Sequence, residues 1–210
     1  IDEFFDRVFT EGIGNVLHKP VAAKEILTLS RKLITRENIF GLKNHIENIR
    51  TLKKISINKS TQIMPAIKVI GEHMSAWGFE IENVTMLNLI LNEMIINAVY
   101  HAHGLTEQKL RREAVTLEEG KFVEIGFGCS TSQLGISVTD FNGKLTQSRI
   151  LESMNNVVVQ KKLLDEAFEK GLDITDLISE TGRGLDLVRQ IATEYYFIIE
   201  RNKRTEIILL

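Results

Sequence analysis

The sequence predicts an α+β fold, and three stretches carry that prediction. Residues 87–104 (LNLILNEMIINAVYHAHG) place apolar side chains at Leu87, Ile90, Leu91, Met94, Ile95, Ala98 and Val99. That is the period of an amphipathic helix. Residues 121–128 (KFVEIGFG) and 134–140 (LGISVTD) read as two strands close enough for a hairpin. Residues 195–200 (YYFIIE) and 205–210 (TEIILL) read as two closing strands, joined by a turn from Arg201 to Arg204.

The remaining elements follow in order. Residues 1–12 read as a helix ending at Gly12, residues 13–20 as a short apolar run closing on Lys19 and Pro20, and residues 21–34 as an amphipathic helix. Residues 37–54 look like a charged linker helix after Gly41, and a new domain starts at Ile55 with a short alternating strand. Ser60 or Thr61 can cap the next helix, which turns Ile63, Ile67, Ile70 and Met74 inward. Pro65 suits its first turn, where a missing N–H costs little, and Gly78 ends it. Asn83 or Thr85 starts the helix of residues 87–104. Residues 105–120 are polar and read as a surface excursion. Residues 144–181 are long for a connection and contain helical pieces, which suggests a lid. Thr181, Gly182, Arg183, Gly184 and Leu185 then open a further helix.

Composition sets bounds. The 210 residues allow one large domain or a domain with a fragment, and 43% hydrophobic residues allow a sizeable core. A net charge of −2 gives no general argument for nucleic acid or membrane binding. The lone Cys129 excludes an internal disulfide framework and fits a reducing cytoplasm. No apolar run is long enough to span a bilayer, and the first residues do not read as a signal peptide.

The polar residues of the 87–104 helix are ordered. Glu93, Asn97 and His101 recur every fourth residue, so they form one stripe. A carboxylate, a carboxamide and an imidazole in a row can hold a metal ion and poise a nucleophile. A solvated helix face is the plainer reading of the stripe by itself. Two later motifs favour chemistry: a strand ending in Asp140 with Gly143 three residues on, and the Gly182-Arg183-Gly184 turn at a helix start.

In this order the motifs resemble the GHKL superfamily of ATP-binding domains, and anti-sigma factor serine kinases among them. EMIINAVYHA looks like the family's N-box, VTDFNG like its first glycine box, TGRGLDLVRQ like its second and TEIILL like its last strand. The resemblance covers about residues 55–210. It implies a two-layer α/β sandwich of the Bergerat type, with a mixed, largely antiparallel sheet. It also implies ATP and Mg2+ as cofactors. Asn97 would bind the metal and Glu93 would act as general base. Asp140 would accept from the adenine amino group with Thr205 in support, next to Gly143. Gly182, Arg183, Gly184 and Leu185 would lie along the phosphates, where backbone N–H groups and a helix start meet an anion. One departure stands out. The usual Asp-x-Gly-x-Gly reads here as Asp140, Phe141, Asn142, Gly143, Lys144.

Residues 1–36 resemble the C-terminal end of a response-regulator receiver domain, with Lys19 and Pro20 at its Lys-Pro pair. The phosphoacceptor aspartate would then lie upstream of Ile1. His45 sits in HIENIRTL, a loose echo of the sensor-kinase phosphoacceptor box, but a strand-like run follows too soon for a dimerisation hairpin. The resemblances imply a cytoplasmic ATP-dependent serine/threonine kinase gated by a receiver. Its partner would be a regulatory protein, a sigma factor or an antagonist, with self-association as a homodimer also open. The alternatives are a non-catalytic docking module of the same fold, or a histidine kinase catalytic domain.

Overall fold

The computed structural model describes residues 26, 27, 30, 39–81, 84–144 and 192–210. Among the described residues five strands form one sheet: β1 (Thr51–Ile57), β2 (Val123–Cys129), β3 (Leu134–Asp140), β4 (Tyr195–Glu200) and β5 (Arg204–Leu209). Their order is β1-β2-β3-β5-β4, and every described pairing is antiparallel. The central strand is therefore β3, which ends at Asp140. Alternation sets the faces. Val123, Ile125, Phe127, Ile136, Val138 and Leu209 all enter the main core.

Among the described residues two helices cover that face. Helix α1 (Ile63–Ala76) buries Ile63, Ile67, Ile70 and Met74, the residues its period places inward. Gly78, at φ 81°, ends it in a Schellman arrangement: Phe79 N–H donates to Met74 O at 3.2 Å and Gly78 N–H to Ser75 O at 3.0 Å. The start of α1 departs from expectation. A 3₁₀ turn, Ser60–Gln62, precedes it, and the Gln62 side chain accepts from the backbone N–H groups of Asn58 and Lys59, each at 3.0 Å. Ser60 instead accepts from Val115 N–H at 2.9 Å, fastening the 105–120 segment.

Helix α2 (Val84–Ile96) buries Leu87, Ile90, Leu91, Met94 and Ile95, and continues as a π-helical turn, Asn97–His101. Ala102 N–H donates to Asn97 O and Leu105 N–H to Tyr100 O, both five residues back. Short helix α3 (Thr106–Leu110) follows. The 105–120 segment is not a free excursion: Leu117 is buried in the main core, and Tyr100 OH donates to Glu113 O at 2.8 Å.

The other face of the sheet is covered from the N-terminal side. Residues 37–54 are not one linker helix. Their described part is a 3₁₀ turn, Leu42–Asn44, with irregular chain up to β1, which begins at Thr51 rather than Ile55. The physical reason lies in two misread signals. Leu42 and Ile46 bury against Tyr196, Ile198 and Ile208, so their spacing serves a packed loop. Lys53 and Lys54 belong to an edge strand, where lysines face solvent; Lys54 pairs with Glu124 of β2 at 2.7 Å. Gly135 lets the loop sit close, since a Cβ there would lie 2.6 Å from Ile46 Cδ1. Of residues 1–36, Ile26, Leu27 and Ser30 are described and helical, and Lys19 and Pro20 lie outside the described residues.

Candidate functional site

The end of the central strand is the focus. Asp140 is 5% exposed. Its Oδ1 accepts from the backbone N–H groups of Asn142 at 3.0 Å and Gly143 at 2.9 Å, closing a tight turn. Both amides go to one oxygen, so Oδ2 is the oxygen not used by the turn. Burial raises the Asp140 pKa above the ordinary carboxylate value. The two amides, the Thr205 side chain and His103 oppose that rise.

Thr205 stands directly across the ladder from Asp140. It is buried, and its Oγ1 meets no full hydrogen-bond geometry among the described residues. The hydroxyl is near enough to favour the Asp140 carboxylate, so its bond to that group is a loose one.

Gly143 has φ 56°, the left-handed region. A Cβ there would collide with Glu200 O and lie 2.7 Å from the backbone nitrogens of Lys203 and Arg204. The glycine thus seats the Asp140 turn on the β4–β5 turn, where its carbonyl accepts from Asn202 N–H at 3.1 Å. Asn142 is not among the described residues with positive φ, so its backbone does not need glycine's freedom. Its side chain ties two elements together: Nδ2 donates to Ala102 O at 3.1 Å and to His103 Nδ1 at 3.0 Å. Burial, with Lys121 and Lys144, holds His103 below the ordinary imidazole pKa, against Asp140 and Glu118. The neutral ring accepts at Nδ1 and so carries its proton on Nε2, which is buried without a partner among the described residues.

The α2 stripe supplies the second wall. The π turn packs on β3. Glu93 is half-buried, Asn97 exposed and His101 half-buried. His101 Nδ1 lies 3.1 Å from Thr106 Oγ1, which joins α2 to α3. Lys109, on α3, brings Nζ to 3.4 Å from both Asn97 Oδ1 and His101 Nε2. Among the described residues no group of three His, Cys, Asp or Glu could hold a metal ion. A hard cation here would draw on the Asn97 carboxamide and otherwise on ligand oxygens and water.

The structure thus brings together Asp140, Gly143 and Thr205, and joins them to the end of α2 through Asn142. Gly182, Arg183, Gly184 and Leu185 lie outside the described residues. Sequence reasoning passed over His103, Lys109 and the bridging use of Asn142. Lys109 falls eight residues after His101 across Gly104, and no period links such positions.

Helices on one face of a mostly antiparallel five-stranded sheet, with a buried aspartate closing the central strand, give the α+β fold of GHKL ATPase domains. The chain belongs to the histidine kinase-like ATPase domain family, whose match covers residues 58–210. Domains of this family bind ATP, typically with Mg2+. No curated protein matches the chain. Among the described residues no helix is long and apolar enough to cross a membrane.

Proposed function

We propose that this chain binds ATP with Mg2+ and transfers the γ-phosphoryl group to a serine or threonine of a regulatory protein, in the manner of anti-sigma factor serine kinases. The observation that carries the reading is Asp140: a buried carboxylate with one oxygen fixed by a turn and a buried threonine hydroxyl opposite. Such a pair suits a ligand that offers an N–H donor, as an adenine amino group does. The Thr205 hydroxyl beside it can accept from the same base or its water.

Asn97 is the residue that would hold Mg2+, which when bound neutralises charge on the phosphates. Glu93, one turn earlier on α2, accepts the proton of the attacking hydroxyl. The hydroxyl oxygen bonds to the γ-phosphorus, the bond from that phosphorus to the bridging oxygen breaks, and ADP leaves. Gly182, Arg183, Gly184 and Leu185 keep the phosphate role that the second glycine box suggests. The receiver-like residues 1–36 set the activity from upstream, in the cytoplasm, with a sigma factor or antagonist as partner.

A second reading, a non-catalytic docking module, draws on Asn142. The box residue expected to be glycine holds Ala102 and His103 by hydrogen bonds, which stiffens the turn below the base.

Thermal unfolding with added ATP and Mg2+ separates the two. Ligand at about 100 times its Kd adds roughly 2.7 kcal/mol to the native state. The kinase reading expects an upward shift that Asp140→Ala removes. It also expects Glu93→Ala to keep the shift while abolishing phosphoryl transfer. No shift at millimolar ATP leaves only the docking module.

A further inference from the structure

We propose that Lys109 is a phosphate-binding cation, held ready at the α2 stripe, that gives the site a metal-independent grip on nucleotide. The inference rests on the nucleotide reading of that site. Its own ground is the position of one ammonium group. Lys109 Nζ lies 3.4 Å from Asn97 Oδ1 and 3.4 Å from His101 Nε2.

The placement is built rather than incidental. His101 Nδ1 and Thr106 Oγ1, at 3.1 Å, fasten the first residue of α3 to the π turn. Lys109 N–H donates to Leu105 O at 3.1 Å, so its backbone is fixed one turn later. The ammonium can only donate, so Nε2 accepts from it and the proton on Nδ1 donates to Thr106, which satisfies both ring nitrogens. Lys109 is half-buried, whereas Arg111 on the same segment turns outward to Glu107, with 69% and 83% of those side chains exposed.

Distance decides what the ammonium can reach. Asn97 is the residue that would hold Mg2+, and Lys109 Nζ already lies 3.4 Å from its carboxamide oxygen. A phosphate brought to Asn97 would come within reach of the flexible Lys109 ammonium, and two cations would crowd one carboxamide when the metal is present. Lys109 then turns from Asn97 to the phosphate, while without metal it stays as the counter-charge the phosphates meet.

The test is equilibrium binding of ADP to the full chain, with Mg2+ and with the metal chelated, for the native protein, Lys109→Met and Asp140→Ala. Methionine keeps the stem and removes the charge, on a helix that contributes no buried residue to the core. Loss of a charged hydrogen bond predicts about tenfold or greater weakening for Lys109→Met without metal. With Mg2+ the loss shrinks to about threefold, because the ion neutralises the same oxygens. Equal affinity of Lys109→Met and the native chain in both conditions overturns the lysine assignment and leaves the pocket standing. An equal loss in both conditions also overturns it, since metal then does not share the lysine's task. Undiminished binding by Asp140→Ala overturns the pocket itself, and binding by no form of the chain removes both.

Discussion

Gly143 shows how one residue couples the candidate site to the frame around it. Its φ of 56° places it where a side chain meets its own backbone, and the space beyond is filled by the chain of the β4–β5 turn. Gly143→Ala combines left-handed strain of about 1–2 kcal/mol with overpacking of similar size, so a loss on the order of 3 kcal/mol is expected. Chemical denaturation measures it as a lowered midpoint at unchanged slope. A change below 0.5 kcal/mol would mean that the turn relaxes freely. Asn142→Gly, by contrast, restores the usual box residue and removes the bridge to Ala102 and His103. It should cost only about 1 kcal/mol, because the residue is half-buried and its hydrogen bonds are neutral.

At the scale of elements, strand β5 is read on both faces. Thr205 faces the Asp140 side, and Glu206 faces the N-terminal loop. Glu206 is 3% exposed; one oxygen accepts Gly41 N–H at 2.6 Å, and Ser137 also bonds it. Arg204, two residues earlier, stacks its guanidinium 3.6 Å from the Phe40 ring centroid. Burial raises the Glu206 pKa; Gly41, Ser137 and Arg204 oppose the rise, and Glu124 adds to it. A raised carboxyl binds protons in the native state that the unfolded chain has already released. Its stability contribution is therefore complete below the unfolded pKa and is lost as pH rises through the folded pKa. Glu206→Gln keeps an acceptor for Gly41 and does not titrate. The native chain should lose stability relative to this variant as pH climbs from the carboxylate range towards neutrality, followed by melting temperature at each pH. A constant difference across that range would show that Glu206 does not titrate with folding. Adjacent residues of one strand thus serve the two faces: Glu206 bonds Gly41 of the N-terminal loop, and Thr205 stands opposite Asp140.

For the whole molecule, what was legible in the sequence follows from how far each signal reaches. The period of α2 named its buried residues, because a helix face meeting one core repeats along the chain. The hairpin of β2 and β3 and the two closing strands were legible for the same local reason. The joining of Asp140 with Thr205 depends on a pairing between residues far apart in sequence, and a likeness of motifs, not local pattern, suggested it. The π turn, the Lys109 contact and the loop over the far face left no periodic trace. That loop moves the border of the folded unit. The family match begins at residue 58 and the sequence suggested Ile55, yet β1 starts at Thr51 and residues 39–50 seal the far face. Burying Leu42 and Ile46 contributes about 1.5–3 kcal/mol each, a large part of the roughly 5–15 kcal/mol of an ordinary domain. A chain starting at residue 51 keeps all five strands but uncovers Tyr196, Ile198 and Ile208. Compared with a chain starting at residue 39, it should unfold about 3–6 kcal/mol more easily and bind a hydrophobic dye before the transition. Equal urea midpoints for the two chains would show that the loop rests on the sheet without holding it, and the border would return to the start of β1.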